Sequence, residues 1–199
     1  YLRENFQRNC ISKGILKAQD EDLIIISDLD EIPNPKKINS FKKTMRFAVF
    51  KQMHFYYKIN LQSTNNPFWL GSRICVKKYL KSPQWIRDLK FKKRPFWRLD
   101  KYRLNNIIDS GGWHFCNLKK PEDLLYKYKN LCETNDPYNF KEKIEDKYLN
   151  LESIKKHIDL GVDIIGRNEN YKPVKIDNNF PEYILRNLEK LNEWIIKKD

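Results

Sequence analysis

Two aspartates stand two residues apart in Ser27-Asp28-Leu29-Asp30-Glu31, directly after the apolar run Leu23-Ile24-Ile25-Ile26. Side chains alternate on an extended chain, so Asp28 and Asp30 would point to one side and Leu29 to the other. Two carboxylates so placed make an oxygen-only pair. Such a pair suits a hard divalent cation, Mg²⁺ or Mn²⁺, which commonly keeps open positions for phosphate oxygens. A local reading competes with this one. An acidic cluster after a strand also serves as a solvated turn or as the cap of a following helix. The apolar ramp favours the chemical reading, because a solvated turn needs none.

The elements that must position these carboxylates can be read around them. The β-branched, uninterrupted ramp predicts a short strand buried on both faces. Pro33 bars a central strand beyond it. Upstream, Leu2, Phe6, Cys10, Ile11, Ile15 and Leu16 recur at helical spacing and predict a helix over 2–19. Its polar side would carry Arg3, Glu4, Gln7, Arg8 and Lys13. A helix leading through Gln19-Asp20-Glu21-Asp22 into a strand is an α/β crossover. A turn and short helix follow over 33–41. Aromatic and β-branched content predicts strands within 46–58 and 69–79. Residues 84–104 are aromatic and basic, with Pro95 interrupting any continuous element.

Asp109-Ser110-Gly111-Gly112 reads as a turn, leading into Trp113-His114-Phe115. The last third reads as helical. One helix starts at Pro121 and runs to Leu131, and a second spans 151–160 and stops at Gly161. A third spans 181–196 with Ile184, Leu185, Leu188, Leu191 and Ile195 on one face. No internal repeat or low-complexity linker divides the chain, so one domain over 1–199 is the simplest organisation.

Composition narrows the function classes. A chain of 199 residues with 40% hydrophobic and 14% aromatic residues can bury a sizeable core and is globular. It has no apolar run near the ~20 residues that span a bilayer, and no secretory signal pattern. It opens on Tyr1, inside the first predicted helix, which implies that further chain precedes it. The net charge is +13. Such a balance suits nucleic acid, anionic lipid or phosphate-bearing substrates. Lys, Asn and Ile are abundant throughout, which reads as a compositional bias rather than a patch. The densest run, Lys90 to Arg98, interleaves cations with aromatics, a pattern able to serve single-stranded nucleic acid or a solvated edge. The cysteines Cys10, Cys75, Cys116 and Cys132 form no C-x-x-C pair and give no disulfide framework. His114-Phe115-Cys116 is one H-x-C pair without a matching second, so reduced, buried thiols are expected.

Four segments converge on a resemblance: FQRNCISKG, DLIIISDLDEIP, GGWHFCNLKKPEDLLYKY and IKKHIDLGVDIIGR. In this order, from about Arg3 to Trp194, they resemble glycosyltransferase family 17, the family of the β-1,4-mannosyl-glycoprotein N-acetylglucosaminyltransferase. The D-x-D pair alone is weak. Its combination with a downstream GGWHF and a D-x-x-G-R segment is more specific.

The resemblance implies a GT-A-like α/β fold, a mixed sheet flanked by helices with a helical C-terminal third. It implies metal-dependent, inverting transfer of a sugar, N-acetylglucosamine from a uridine diphosphate donor, to a glycan acceptor. It places the first, base-binding strands of the fold before Tyr1, so that residues 1–199 would be one glycosyltransferase domain lacking its N-terminal nucleotide-binding strands. The proline-and-cysteine pattern of a secreted animal enzyme is missing. The Lys/Asn/Ile-rich chain looks more like a bacterial or viral member, cytoplasmic or membrane-associated, than a Golgi-membrane one. The partners implied are the nucleotide sugar and the glycan, with no specific nucleic acid and at most weak attraction to an anionic membrane surface.

Roles follow for individual residues. A cation bridging the donor phosphates would stabilise the charge growing on the leaving group. Asp30 is the first choice as its direct ligand. Asp28 fits the sugar–ribose side or a metal-bound water. His114 is a further metal ligand or diphosphate contact, or else a packed core histidine. Trp113 stacks on a sugar face or belongs to the core. Glu31 and Asp109 are candidate bases by position alone, and Glu31 could instead cap the helix after Pro33. Arg8 touches phosphate or pairs with Glu4 at i,i+4 spacing. Lys119 and Lys120 read as solvated. Two other functions compete: a nucleic-acid-binding module built on 90–103, and a catalytically inactive carbohydrate-binding fragment.

Overall fold

The computed structural model describes residues 2–90, 106–130 and 145–197. Residues 91–103 of the basic aromatic stretch at 90–103, on which the nucleic-acid reading rests, lie outside them, as do Leu131 and Cys132. The protein is mixed α/β and forms two compact units, Tyr1–Gln52 with Trp69–His114, and Met53–Phe68 with Phe115–Asp199. Three strands contribute residues to both: β3 (Phe47–Tyr56), β5 (Phe68–Val76) and β6 (Ile107–Cys116).

In the first unit, β1 (Leu23–Ile26) pairs antiparallel with β5, Leu23 opposite Val76 and Ile26 opposite Arg73. Strand β3 lies next to β5, and β6 pairs with β3. Among the described residues, strand β2 (Glu31–Pro33) pairs with β6 alone, antiparallel, so Pro33 sits at an edge where its missing N–H costs least. Both faces of this sheet are covered. Ile24, Ile26, Phe47, Val49 and Cys75 pack on one side with Ile86 and Leu89. Ala48, Phe50, Ile74 and Val76 pack on the other with Phe41 and Ile108, and Ile25 packs there too. Ile24, Ile25 and Ile26 are packed on alternate sides, which is why apolar residues follow without a break there, while Leu23 at the start of the strand is exposed. The partner of β1 is nevertheless antiparallel, not the parallel strand of an α/β crossover. Truncating Ile26, 2% exposed, would cost about 2–5 kcal/mol.

Helix α1 (Leu2–Asn9) tightens into a 3-10 turn over Cys10–Ile15 instead of continuing to residue 19. Its apolar spacing is covered only in part, at Cys10 and Ile15. Leu2 and Phe6 are 86% and 73% exposed, whereas Asn5, Arg8, Ser12 and Ile15 form the more covered face. Helix α2 (Pro83–Asp88) starts at the Ser82 cap, whose hydroxyl accepts from the Trp85 N–H, with Pro83 in the first turn.

The segment Asp109–Gly112 is not a turn. It lies inside β6, with Ser110 at φ 51 and Gly112 at φ 132. A Cβ on Gly112 would meet the Ile32 carbonyl at 2.0 Å, and one on Gly111 would meet the Lys51 nitrogen at 2.8 Å. These glycines allow close strand approach rather than hinge motion.

In the second unit, β4 (Leu61–Ser63) pairs with β3 and with β7 (Tyr171–Pro173), both antiparallel. Helices α3 (Pro121–Asn130) and α4 (Leu151–Leu160) contribute Leu124, Tyr128, Ile154 and Ile158 to a core with Tyr57, Leu61, Ile164 and Tyr171. Gly161 ends α4 in the left-handed region at φ 65, as the spacing predicted. The D-x-x-G-R segment does structural work here. The buried Asp163 carboxylate accepts from the Tyr57 and Tyr171 hydroxyls, both at 3.2 Å, and from Arg167 Nη2 at 3.1 Å.

The helix expected over 181–196 stops early, as α5 (Glu182–Arg186), with a 3-10 turn at Asn192–Trp194. The Asn187 amide takes the Tyr183 carbonyl at 2.7 Å, and Asn60 ties down the Ile196 backbone through two bonds of 2.9 Å. Among the described residues, no helix is long and apolar enough to cross a membrane.

Candidate functional site

The chain does not leave β1 extended. The Asp28 carbonyl accepts from the Glu31 N–H at 3.1 Å, closing a turn with Leu29 fully exposed at its tip. A turn breaks the alternation that would have put both aspartates on one side. Asp28 and Asp30 go to different partners.

Asp28 goes to arginines. Its Oδ2 accepts from Arg87 Nη2 at 2.7 Å and its Oδ1 from Arg8 Nη2 at 3.3 Å. Arg8 also reaches Glu4 at 3.2 Å and Gln84 Oε1 at 2.7 Å, so the i,i+4 pair and an inward contact both exist. Arg87, in the last turn of α2, grips Glu31 with both ends of its fork, Nη1 to Oε2 at 2.7 Å and Nη2 to Oε1 at 2.9 Å. It also donates to the Gly71 carbonyl at 3.0 Å.

The Glu31 side chain is 1% exposed. The Trp69 indole N–H donates to its Oε1 at 2.9 Å and the Asp28 N–H to its Oε2 at 3.2 Å. Behind it, the Ser27 and Ser72 hydroxyls meet at 2.6 Å, and Gln52 donates to Ser72 at 3.2 Å. Burial alone would push the Glu31 carboxyl up. The Arg87 guanidinium, with the Trp69 and Asp28 donors, outweighs it and holds the group below the ordinary carboxylate range. Arg73, buried on β5, is brought down to about 10 by burial and by the charge of Arg87. It donates to the Leu70 carbonyl at 2.8 Å and to that of Gly71. The helix cap expected of Glu31 is supplied by Asn34, whose Oδ1 accepts from the Lys36 N–H at 3.1 Å.

Asp30 goes to His114. Its Oδ2 lies 3.4 Å from His114 Nε2, with Asp30 44% exposed and the imidazole 10%. The register makes this meeting, since His114 on β6 stands directly opposite Glu31 on β2. The Trp69 ring lies 5.2 Å from the imidazole, tilted by 38°. Asp30 and His114 each offer a metal-ligand atom.

The remaining two sequence candidates lie apart from this meeting point. Trp113 is 6% exposed, and strand alternation turns it to the face opposite His114. Asp109 is 77% exposed and pairs with Lys51 at 3.2 Å. Sequence reasoning missed Arg87, Trp69 and Arg73. Arg87 was hidden in a stretch read only as basic and aromatic, and Trp69 in a segment read only for its strand pattern. Compared with family models, curated proteins and solved structures, the chain matches none of them.

Proposed function

We propose that this protein is a metal-dependent inverting glycosyltransferase with a GT-A-like frame. It moves a sugar, N-acetylglucosamine from a uridine diphosphate donor, to a glycan acceptor. The observation that carries the reading is the Asp30–His114 pair, 3.4 Å apart, in which Asp30 belongs to the same turn as Asp28, the partner of Arg8 and Arg87. The four resembling segments support it, since two of them bring these groups together.

In this reading Asp30 and His114 hold the cation, Mn²⁺ or Mg²⁺. Bound there, it would neutralise charge developing on a departing diphosphate. Arg8 and Arg87 keep both oxygens of Asp28 engaged, so Asp28 fits a positioning role beside the donor better than direct ligation. Arg8, reaching that edge from α1, supplies positive charge for phosphate. Glu31, locked by Arg87 and acidified, supports an anchoring role rather than proton acceptance. Asp109, the other proposed base, is open to solvent but lies apart from the Asp30–His114 pair, where it binds Lys51.

The test is Mn²⁺ titration of the full chain with and without uridine diphosphate. Binding that strengthens with the nucleotide, and that Asp30→Ala and His114→Ala both weaken, supports the assignment. Equal Mn²⁺ affinity in the wild type and both variants refutes it.

A further inference from the structure

We infer that Trp69, not Trp113, is the aromatic wall on which a pyranose ring rests in this site. The inference takes the ligand's identity as a sugar from the transferase reading. It takes the residue from geometry. The carbon face of a pyranose carries C–H groups and is apolar, while its rim carries hydroxyls. It therefore suits a flat aromatic surface bordered by hydrogen-bonding groups.

Trp69 meets both conditions. It is 41% exposed, whereas Trp113 is 6% exposed and offers no comparable surface. The Asp30 carboxylate, 44% exposed, stands 3.4 Å from His114, whose ring lies 5.2 Å from the Trp69 indole. His114 thus borders the aromatic surface, and the Asp30 carboxylate lies one contact beyond it.

The wall is also held in place. The indole N–H is committed to Glu31 Oε1 at 2.9 Å, and Arg87 fixes that carboxylate through two bonds. Gly71 completes the seat. A Cβ there would lie 2.8 Å from Trp69 Cδ1 and 1.8 Å from Gln52 Oε1, so any side chain would displace the indole or the amide behind it. A ring anchored at its N–H edge loses little freedom when a ligand stacks on it, which favours weak, flat ligands such as sugars.

The experiment labels the full chain with 5-fluorotryptophan and titrates it with methyl N-acetyl-β-D-glucosaminide. Each of the five tryptophans gives a fluorine resonance. The Trp69 signal is identified as the one missing in Trp69→Phe, and the Trp113 signal likewise. The expected result is a saturable shift of the Trp69 resonance with the Trp113 resonance unmoved. Trp69→Ala should bind the glycoside about tenfold more weakly, equivalent to roughly 1.4 kcal/mol. Trp69→Phe, which keeps an aromatic face but loses the N–H anchor, should fall between.

A shift confined to Trp113, or no tryptophan shift at saturating glycoside, overturns the inference even if Mn²⁺ binds as proposed. A Trp69 shift in a chain that takes up no Mn²⁺ upholds the sugar wall and refutes the metal site, so the two failures are distinguishable.

Discussion

Arg87 and Glu31, 56 residues apart in sequence, form a fork-to-fork pair with bonds of 2.7 and 2.9 Å, and neither side chain is more than 10% exposed. Through Asp28, the same guanidinium closes the turn that sends Asp30 toward His114. Arg87→Met should destabilise the protein by about 3–5 kcal/mol, because it strands a buried carboxylate. Adding Glu31→Met to it should recover part of that loss. Urea unfolding of the two single variants and the double variant measures the coupling, and strict additivity would show that the pair does not act as a unit.

The two aspartates should separate in their phenotypes. Asp30→Ala and His114→Ala should weaken Mn²⁺ binding at least about tenfold and leave the melting temperature nearly unchanged for Asp30, which is half-exposed. Asp28→Ala should do the reverse, lowering stability because it removes the carboxylate shared by Arg8 and Arg87, with a smaller effect on Mn²⁺. Calorimetric titration and thermal melting on the same samples check this. Identical behaviour of Asp28→Ala and Asp30→Ala would mean that both carboxylates ligate the metal.

Acid should attack the site through Glu31. Its carboxyl is held below the ordinary value in the folded protein, despite burial, chiefly by Arg87. A depressed carboxyl contributes stability above its unfolded value and loses it as pH falls through its folded value. Stability should therefore drop on the acid side of the ordinary glutamate range. Glu31→Gln should start less stable at neutral pH and show a flatter acid limb. An unchanged slope in the Gln variant would assign the acid sensitivity elsewhere.

In the second unit, Asp163→Ala should cost about 3 kcal/mol. It strands the Tyr57 and Tyr171 hydroxyls and removes the partner of Arg167. Thermal melting reads this directly. A loss below about 0.5 kcal/mol would show that water replaces the carboxylate.

Much of the frame was legible because local rules determine it. The Leu23–Ile26 strand, the Pro121 start of α3 and the Gly161 stop of α4 follow from β-branching, first-turn proline and left-handed glycine. The short pairings β4 and β7 escaped because three residues carry no period. Gly111-Gly112 misled because glycine marks close strand approach as readily as a turn. At the site, Asp30 stands out by its D-x-D spacing, and His114 by the glycine pair before it and the resemblance. Their meeting depends on the β2–β6 register, which no local pattern encodes. Arg87 had no signature at all, since its partners are 56 and 59 residues away.

The most direct test of the central claim is release of uridine diphosphate from uridine diphosphate N-acetylglucosamine by the full chain, with Mn²⁺ and after its removal by chelation. The account predicts release that requires Mn²⁺, returns when Mn²⁺ is restored, and is lost in both Asp30→Ala and His114→Ala. Release that persists after chelation, or that survives both substitutions, would contradict a metal-dependent transferase centred on this pair.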